Sequence, residues 1–419
     1  MAHDGLMVSV SGIRGRVGEA LTPDVVARYA AAFGAWASAA GGSRTVVVGR
    51  DSRVSGPMFH HIAVGALQAV GCTVMDIGLT TTPTCQLAVE HHHAAGGLML
   101  SASHNPIEWN ALKFIGPSGL FLEAVEGAAM RRLVDDGIPY ATWDQLGGVE
   151  HDDRAAMRHI ECVLSLPFVD VEALRRRRFK VALDCCRGAG AVIMPALLDR
   201  LGCVVSVINA EPDGRFPRSP EPVAENLGEL ERFVQETGAD VGFAVDPDVD
   251  RLAIVSNEGK AIGEDYTLAL AVRLVLRHRQ GPVVTNLSTS RVVEDAAVRG
   301  GSALLRAPVG AALVLQLMLE DAKPLSAIVG ALPRYVIVKD KLDRPKTNLD
   351  AVYAALRGAF PDAAADPQDG LRLSWSDRWV HVRPSGTEPI VRVIAEAPTD
   401  AAARELVRRA REPLDVLGR

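Results

Sequence analysis

Residues 97–114 read GLMLSASHNPIEWNALKF. An apolar, strand-like run ends abruptly in two serines, a histidine and an asparagine, with Lys113 a few residues on. Loops at the C-terminal ends of parallel strands are where α/β sheets place their ligands. The surroundings of this stretch decide whether such a sheet is present.

Working outward, short β-rich runs alternate with longer helical ones, which predicts parallel sheets covered by helices. A loose repeat lies inside that alternation. Strand TVVVGRD (45–51) leads through a helical stretch to GCTVMDIG from Gly71. KVALDCC (180–186) leads to GCVVSVIN from Gly202, and PVVTNLS (282–288) leads to GSALLRAP from Gly301. The spacings of 26, 22 and 19 residues each fit one βαβ crossover. The first unit continues to GLMLSASHNP and the second to DVGFAVDPDVDR (240–251). The third has no counterpart, because RAPVG (306–310) runs directly into the helical AALVLQLMLED and then KPLSAIVGALP. The tail WVHVRPSGTEPIVRVIAEA (379–397) reads as strand, tight loop, strand, with a charged helix from Thr399. The expected class is α/β: three similar units with mixed, mostly parallel sheets, plus a C-terminal α+β domain. The expected boundaries are 1–150, 151–253, 254–332 and 333–419.

The totals narrow the function. The 419-residue chain is 48% apolar with net charge -6, which argues against nucleic acid or an anionic membrane as main partner. No apolar run reaches bilayer length, and MAHDGLMVSVSGIRG lacks the pattern of a secretory signal. The six cysteines form no C-x-x-C pair; four sit in apolar, strand-like or helical surroundings and read as reduced core residues of a cytoplasmic protein.

Three loops carry chemistry. In DPDVD, Asp246, Asp248 and Asp250 stand at alternate positions and can converge on a hard cation such as Mg²⁺ if the loop curls. An EF-hand fails, with Arg251 at the sixth position and Asn257 at the twelfth. An acidic surface turn is the plainer alternative, but the three carboxylates repel one another without a cation. In SASHNP, a Ser-His-Asp hydrolase is one reading. Against it, His104 is adjacent to Ser103 and there is no G-x-S-x-G elbow. A serine carrying a phosphoryl group explains more, since a cation held by DPDVD would sit beside its phosphate. A helix N-cap and turn is the structural alternative. In RPSGTEP, Ser385, Gly386 and Thr387 offer backbone N–H groups and hydroxyls, and Arg383 adds a charged fork. A hairpin turn would look the same. SGIRGR (11–16) sets Arg14 between glycines. His91–His93 and the RRRR run at 175–178 read as helix ends, and DCCRGAG as a weak phosphate-turn match.

With SASHNP, DPDVDR and RPSGTEP in this order, the sequence resembles the α-D-phosphohexomutases: phosphoglucomutase, phosphomannomutase and phosphoglucosamine mutase. The resemblance implies four domains around a central cleft. It implies that Ser103 is a phosphoserine and that Asp246, Asp248 and Asp250 hold Mg²⁺ with one of its oxygens, beside Arg251. It further implies that Lys113 is the general acid/base, that Arg14 lies near the reacting phosphate, and that His104 belongs to the serine loop. Arg383, Ser385, Gly386 and Thr387 then grip the phosphate not undergoing transfer. Glucose 1,6-bisphosphate or a related bisphosphorylated sugar is the implied activator. The implied substrate is a hexose or hexosamine phosphate, handled by a monomer or homodimer. RPSGTEPIVRV looks closest to the phosphoglucosamine mutase branch, with phosphomannomutase/phosphoglucomutase next. One departure stands out. The family's sugar-recognition loop, a Gly-Glu-x-Ser-Gly motif in the third unit, is absent where the repeat runs short. Either this chain lost the segment or the native gene product is longer. A non-catalytic relative that binds sugar phosphates is the rival of another class.

Overall fold

The computed structural model describes residues 5–9, 12–39, 42–283, 285, 288–301, 311–343, 349–384 and 390–417. It divides into two units, residues 1–264 with 318–326, and residues 265–317 with 327–419.

The first unit holds two sheets. The larger has seven strands: β1 (Met7–Ser9), β2 (Gly12–Arg16), β3 (Thr45–Arg50), β4 (Thr73–Leu79), β5 (Gly96–Leu100), β6 (Trp109–Ile115) and β7 (Val149–His151). Their order is β1-β2-β6-β5-β3-β4-β7. The β5-β3-β4-β7 half is parallel, and β6, β2 and β1 add antiparallel strands. Helices α1 (Pro23–Ala39), α2 (Gly56–Ala69), α3 (Thr82–His91) and α4 (Ala124–Asp136) cover both faces. That two-sided cover is why β3 reads as an unbroken valine run. Val46 and Val48 pack in one apolar cluster with Phe33 of α1 and Leu67 of α2, while Val47 packs in another with Cys85 and Val89 of α3. On β5, Leu98 and Leu100 face the first cluster and Met99 the second.

Helices α5 (Ala155–Leu164) and α6 (Val171–Arg177) lead into the smaller sheet. It comprises β8 (Lys180–Asp184), β9 (Val204–Ile208), β10 (Val241–Val245) and β11 (Leu252–Ser256), with α7 (Gly190–Arg200) and α8 (Gly228–Thr237). β9, β8 and β10 are parallel and β11 returns antiparallel beside β10. The repeat seen in the sequence is therefore structural: β3-α2-β4 and then β5-β6 are echoed by β8-α7-β9 and then β10-β11. The sequence reading did not anticipate β6 and β11, the strands that return from the two chemical loops. The RRRR run ends α6, where Arg178 closes the helix in a left-handed conformation. The histidine run ends α3, and His92 there pairs with Asp152 at 2.8 Å.

Between residues 264 and 332 lie α9 (Glu264–His278), α10 (Arg291–Arg299), α11 (Ala311–Asp321) and α12 (Leu325–Gly330). Of the strand expected at 282–288, residues 284, 286 and 287 lie outside the described residues, and of the one expected from Gly301 so do residues 302–310. In the second unit, β12 (Val336–Asp343), β13 (Ala364–Asp366), β14 (Leu371–Ser374), β15 (Trp379–Pro384) and β16 (Ile390–Ala397) form an antiparallel sheet. Helices α13 (Leu349–Ala359) and α14 (Asp400–Leu417) pack on it through Val352, Leu356, Leu406 and Val407. Among the described residues, no helix is long and apolar enough to cross a membrane. All six cysteines are free. Four are buried, Cys162 is exposed and Cys203 partly so.

Candidate active site

Two loops of the first unit form the site, one after β5 and one after β10. Each contains a residue with an unusual backbone. Ser103 has φ +49° and Val249 has φ +62°. A β-branched residue at positive φ is a genuine outlier, and such conformations persist only where the surroundings over-determine them. At Val249 the consequence is geometric. The chain curls, so that Asp246, Asp248 and Asp250 bring carboxylate oxygens within 4.8 Å of one another. In an extended segment these alternate residues would be strung out along one face.

The serine meets this cluster directly. Ser103 Oγ donates to Asp246 Oδ2 at 2.7 Å and lies 3.3 Å from His104 Nδ1. Lys113 reaches the same cluster from β6, donating to Asp248 Oδ2 at 2.6 Å and to Asp250 Oδ2 at 2.9 Å. Register explains this reach. β6 lies antiparallel to β5 and pairs Lys113 with Met99, just before the serine loop begins. On its other edge β6 pairs with β2, so that Gly12 stands opposite Lys113 and Arg14 opposite Ala111. Arg14 Nη1 donates to Asn105 Oδ1 at 3.2 Å. Arg251 donates its N–H to Asp246 Oδ1 at 3.1 Å and its guanidinium to Glu221 at 3.0 Å.

The electrostatics follow from burial. Asp246 and Asp248 are fully buried, while Asp250 keeps some solvent. Burial, aided by the neighbouring Asp248 and Asp250 charges, pushes Asp246 well above the usual carboxylate range. Burial also opposes ionisation of Asp248, but the Lys113 ammonium overrides it and holds that group low. For Lys113 itself, burial works against the charge and the two carboxylates outweigh it, so the ammonium is strongly retained. Burial and then Arg251 push His104 down to about 4, leaving a neutral ring beside the serine.

The carboxylates suit a divalent cation on an observation beyond their number. Asp248 Oδ1 is buried and has no hydrogen-bond partner among the described residues. A buried carboxylate oxygen in that state is a vacant ligand. All available donors are hard oxygens, from the three aspartates and Ser103, the set preferred by Mg²⁺ or Ca²⁺ over softer metals.

The structure therefore brings Ser103, His104, Lys113, Asp246, Asp248 and Asp250 into one network, with Arg14 on Asn105 of the serine loop. Arg383 lies on β15 in the second unit, paired with Asp369. Ser385, Gly386 and Thr387, expected beside it in phosphate binding, lie outside the described residues, as does Ser11 of SGIRGR. The sequence reading missed Thr82, whose backbone N–H donates to the Asp248 carbonyl at 2.9 Å and whose hydroxyl bonds the Asp248 carboxylate. It also missed Asn105, Glu221, Asp51 and Arg53. Of these only Asp51 left a trace in the sequence, because TVVVGRD and KVALD end their equivalent strands in the same residue type, Asp51 and Asp184.

Comparison with known proteins follows this geometry. Profiles of the phosphoglucomutase/phosphomannomutase family match in order: alpha/beta/alpha domain I over residues 6–137, domain II over 157–259, domain III over 263–331, and the C-terminal domain over 335–412. The chain belongs to the phosphoglucomutase/phosphomannomutase family. It is thereby an intramolecular phosphotransferase of the phosphohexomutase type. A protein of Methanopyrus kandleri named "Probable phosphoglucosamine mutase" is 36% identical over 96% of both chains. A "Phosphoglucomutase/phosphomannomutase" of Thermococcus kodakarensis is 34% identical over the same shares. A crystal structure of a phosphoglucomutase/phosphomannomutase family protein from Burkholderia thailandensis has the same fold, with TM-score 0.82, 24% identity, and coverage of 98% of this chain and 97% of that one.

The Methanopyrus alignment also measures the internal shortfall. It runs over 447 positions, whereas 96% of a 419-residue chain is about 402 residues, so about 45 positions of the relative have no counterpart here. Of the four domain matches, the third spans the fewest residues. That is the unit in which the repeat runs short and the Gly-Glu-x-Ser-Gly motif is absent.

Proposed function

We propose that this protein is a phosphoglucosamine mutase, interconverting glucosamine 6-phosphate and glucosamine 1-phosphate through a phosphorylated Ser103. The observation that carries the reading is the network in which Ser103 Oγ and Lys113 Nζ are bound to members of one carboxylate triad. Phosphoryl transfer needs in-line positioning and charge neutralisation more than covalent participation by further groups. In the first transfer, the bond from phosphorus to the Ser103 oxygen breaks and a bond to a free sugar hydroxyl forms. The hydroxyl proton ends on Ser103, relayed by the Lys113 ammonium, which gives one proton to the departing serine oxygen and takes the hydroxyl proton in return. The bisphosphorylated sugar turns over, and its other phosphate returns to Ser103 by the reverse chemistry.

Asp246, Asp248 and Asp250, with the serine phosphate, would hold Mg²⁺. The bound cation supplies charge neutralisation at the transferring group. Arg14 steadies the serine loop through Asn105 and lends positive charge near the phosphate. Arg383, Ser385, Gly386 and Thr387 hold the other phosphate. Glucose 1,6-bisphosphate charges the resting serine.

The choice of sugar rests on the resemblance of RPSGTEPIVRV to the phosphoglucosamine mutase branch and on the Methanopyrus relative's name. The absent motif favours a second reading, loose selectivity that includes the glucose and mannose phosphates, in keeping with the Thermococcus relative's name. One set of experiments tests both. The Mg²⁺-loaded chain is incubated with glucose 1,6-bisphosphate and its phosphopeptides are mapped. Turnover of glucosamine, glucose and mannose 6-phosphates is then compared. Phosphate on Ser103, loss of most turnover in Ser103→Ala and loss of activity in EDTA are expected. Phosphate on Ser101 instead, or full activity without label or cation, would overturn the assignment. A strong preference for mannose or glucose phosphate would overturn the choice of sugar alone.

A further inference from the structure

We infer that Arg53 is a positioning residue that sets the conformation of the Ser103 loop; this rests on Ser103 being the phosphoryl carrier. Arg53 lies between β3 and α2, is fully buried, and is absent from the chemistry described above. A guanidinium has five N–H donors in a fixed fork, and Arg53 uses all of them. Nε donates to Asp51 Oδ2 at 3.2 Å. Nη1 donates to the carbonyls of Pro106 and Trp109 at 2.7 and 2.8 Å, and Nη2 to those of Ser103 and Asn105 at 2.6 and 2.7 Å. Four carbonyls of one seven-residue stretch thus converge on one charged side chain. Turned inward without a donor, they would be buried polar groups lacking partners.

The same network holds the other side of Ser103. Asp51, also fully buried, accepts from Ser101 Oγ at 2.7 Å, and Ser101 Oγ accepts the Ser103 N–H at 2.9 Å. Both peptide groups flanking the Ser103 Cα are therefore tied to the Asp51–Arg53 pair, one through Ser101 and one directly. A residue at φ +49° that is not glycine needs such over-determination. That conformation also aims Oγ at Asp246.

The second repeat contains the same device on different sequence. Asp184 ends β8 as Asp51 follows β3, and its Oδ1 accepts the N–H two residues on, from Cys186, at 2.9 Å. Asp51 Oδ1 accepts from Arg53 N in the same way at 2.9 Å. Asp184 Oδ2 accepts from Arg218 Nε at 2.6 Å, and Arg218 Nη2 donates to the carbonyl of Val245, the residue before Asp246. Arg53 sits two residues from its aspartate and Arg218 thirty-four. The arginines arrive from different points of the chain, so what recurs is the brace on the loop beyond the third strand.

The test uses Arg53→Lys, which keeps the charge opposite Asp51 but offers one nitrogen where four carbonyls need two. Full-length, Mg²⁺-loaded, dephosphorylated protein is mixed with glucose 1,6-bisphosphate, and the rate of phosphate appearance on Ser103 is followed by mass spectrometry. Turnover, KM for the hexose phosphate and thermal melting are measured in parallel. Misplacement of a reacting group by about 1 Å lowers rates about a hundredfold. The expected result is a fall of about that size in Ser103 phosphorylation and in kcat, with KM little changed, well below the melting temperature. Ser101→Ala removes the Ser103 N–H brace and one donor to Asp51 but leaves the four carbonyl bonds of Arg53, and should show a smaller fall in the same direction; it decides the matter if Arg53→Lys does not fold. A folded variant that melts earlier yet phosphorylates Ser103 at the wild-type rate would overturn the inference. Absence of phosphate from Ser103 in the wild-type chain would overturn the carrier reading, and this role with it.

Discussion

Gly12→Ala is a one-carbon change whose effect follows from the strand register. Gly12 sits on β2 directly opposite Lys113 on β6, with φ +147°. A Cβ there would lie 2.0 Å from the Leu112 carbonyl oxygen and 3.1 Å from the Lys113 Cα. A carbon rests against a carbonyl oxygen at about 3.3 Å or more, so β2 and β6 must part by over ~1 Å. The backbone conformation adds about 1–3 kcal/mol of strain for a non-glycine residue, and the overpacking about 1–3 kcal/mol more. A loss of about 4 kcal/mol is therefore expected in urea unfolding. The displacement falls on the strand that carries Lys113 and on the one that carries Arg14, so turnover should drop about a hundredfold even in the folded fraction. Gly18→Ala is the matched control. Gly18 also has positive φ, at +82°, but nothing lies within 4 Å of its added carbon. It should lose only the backbone part, about 1–3 kcal/mol, and keep its turnover. Measuring a coupled mutase assay and a urea curve on both variants separates the cases. If Gly12→Ala behaves like Gly18→Ala, the β2–β6 register does not position Lys113 and the reasoning fails.

Two further outcomes follow from charge and burial. Asp152 accepts from Arg154 N, from Arg158 and from His92; burial opposes its charge, but these partners, Arg158 foremost, hold its pKa below the usual range. Its folded pKa is depressed, so its contribution to stability is complete above about pH 4 and fades as pH falls further. Urea midpoints for wild type and Asp152→Asn should differ by a constant amount from about pH 5 to 7 and converge in more acid buffer; a gap that stays constant or widens there refutes the pairing. Burial pushes the Cys85, Cys185, Cys186 and Cys203 thiols up to about 12, whereas Cys162 is exposed. Iodoacetamide near pH 8 should therefore modify Cys162 first by peptide mapping, and rapid modification of Cys185 or Cys186 would contradict the packing around β8.

The sequence made the first two units legible because their chemistry lies in loops bounded by strong local signals. β5 and β10 are short apolar runs that stop at polar residues, and the repeat supplied their spacing. β6 was harder to read. It is packed on both faces, so WNALKFI shows no clean alternation, and Lys113 could be noted but not placed on a strand. Contacts such as Thr82 with Asp248 join residues 166 positions apart, and nothing local encodes them. The curl at Val249 was invisible for another reason: valine is a poor indicator of positive φ, so the convergence of the aspartates could be stated only as a condition. Asp51 and Arg53 failed differently. The repeat aligned Asp51 with Asp184, but a carboxylate after a strand has many uses, and only the buried guanidinium beside it gives the residue its role.

The strained backbone at Ser103 and Val249 sets the interests of the fold against those of the reaction. A glycine at either position would adopt the observed φ without penalty. Stabilising changes of that kind are common and easy to find, and ordinary selection for foldability would favour them. At 103 the change deletes the hydroxyl, and at 249 it loosens the loop that gathers the carboxylates. With Ser103 in its proposed role, stability engineering guided by backbone preference alone would lead this protein toward a sturdier molecule without its phosphoryl carrier. Directed-evolution libraries should hold both positions fixed and seek their gains elsewhere.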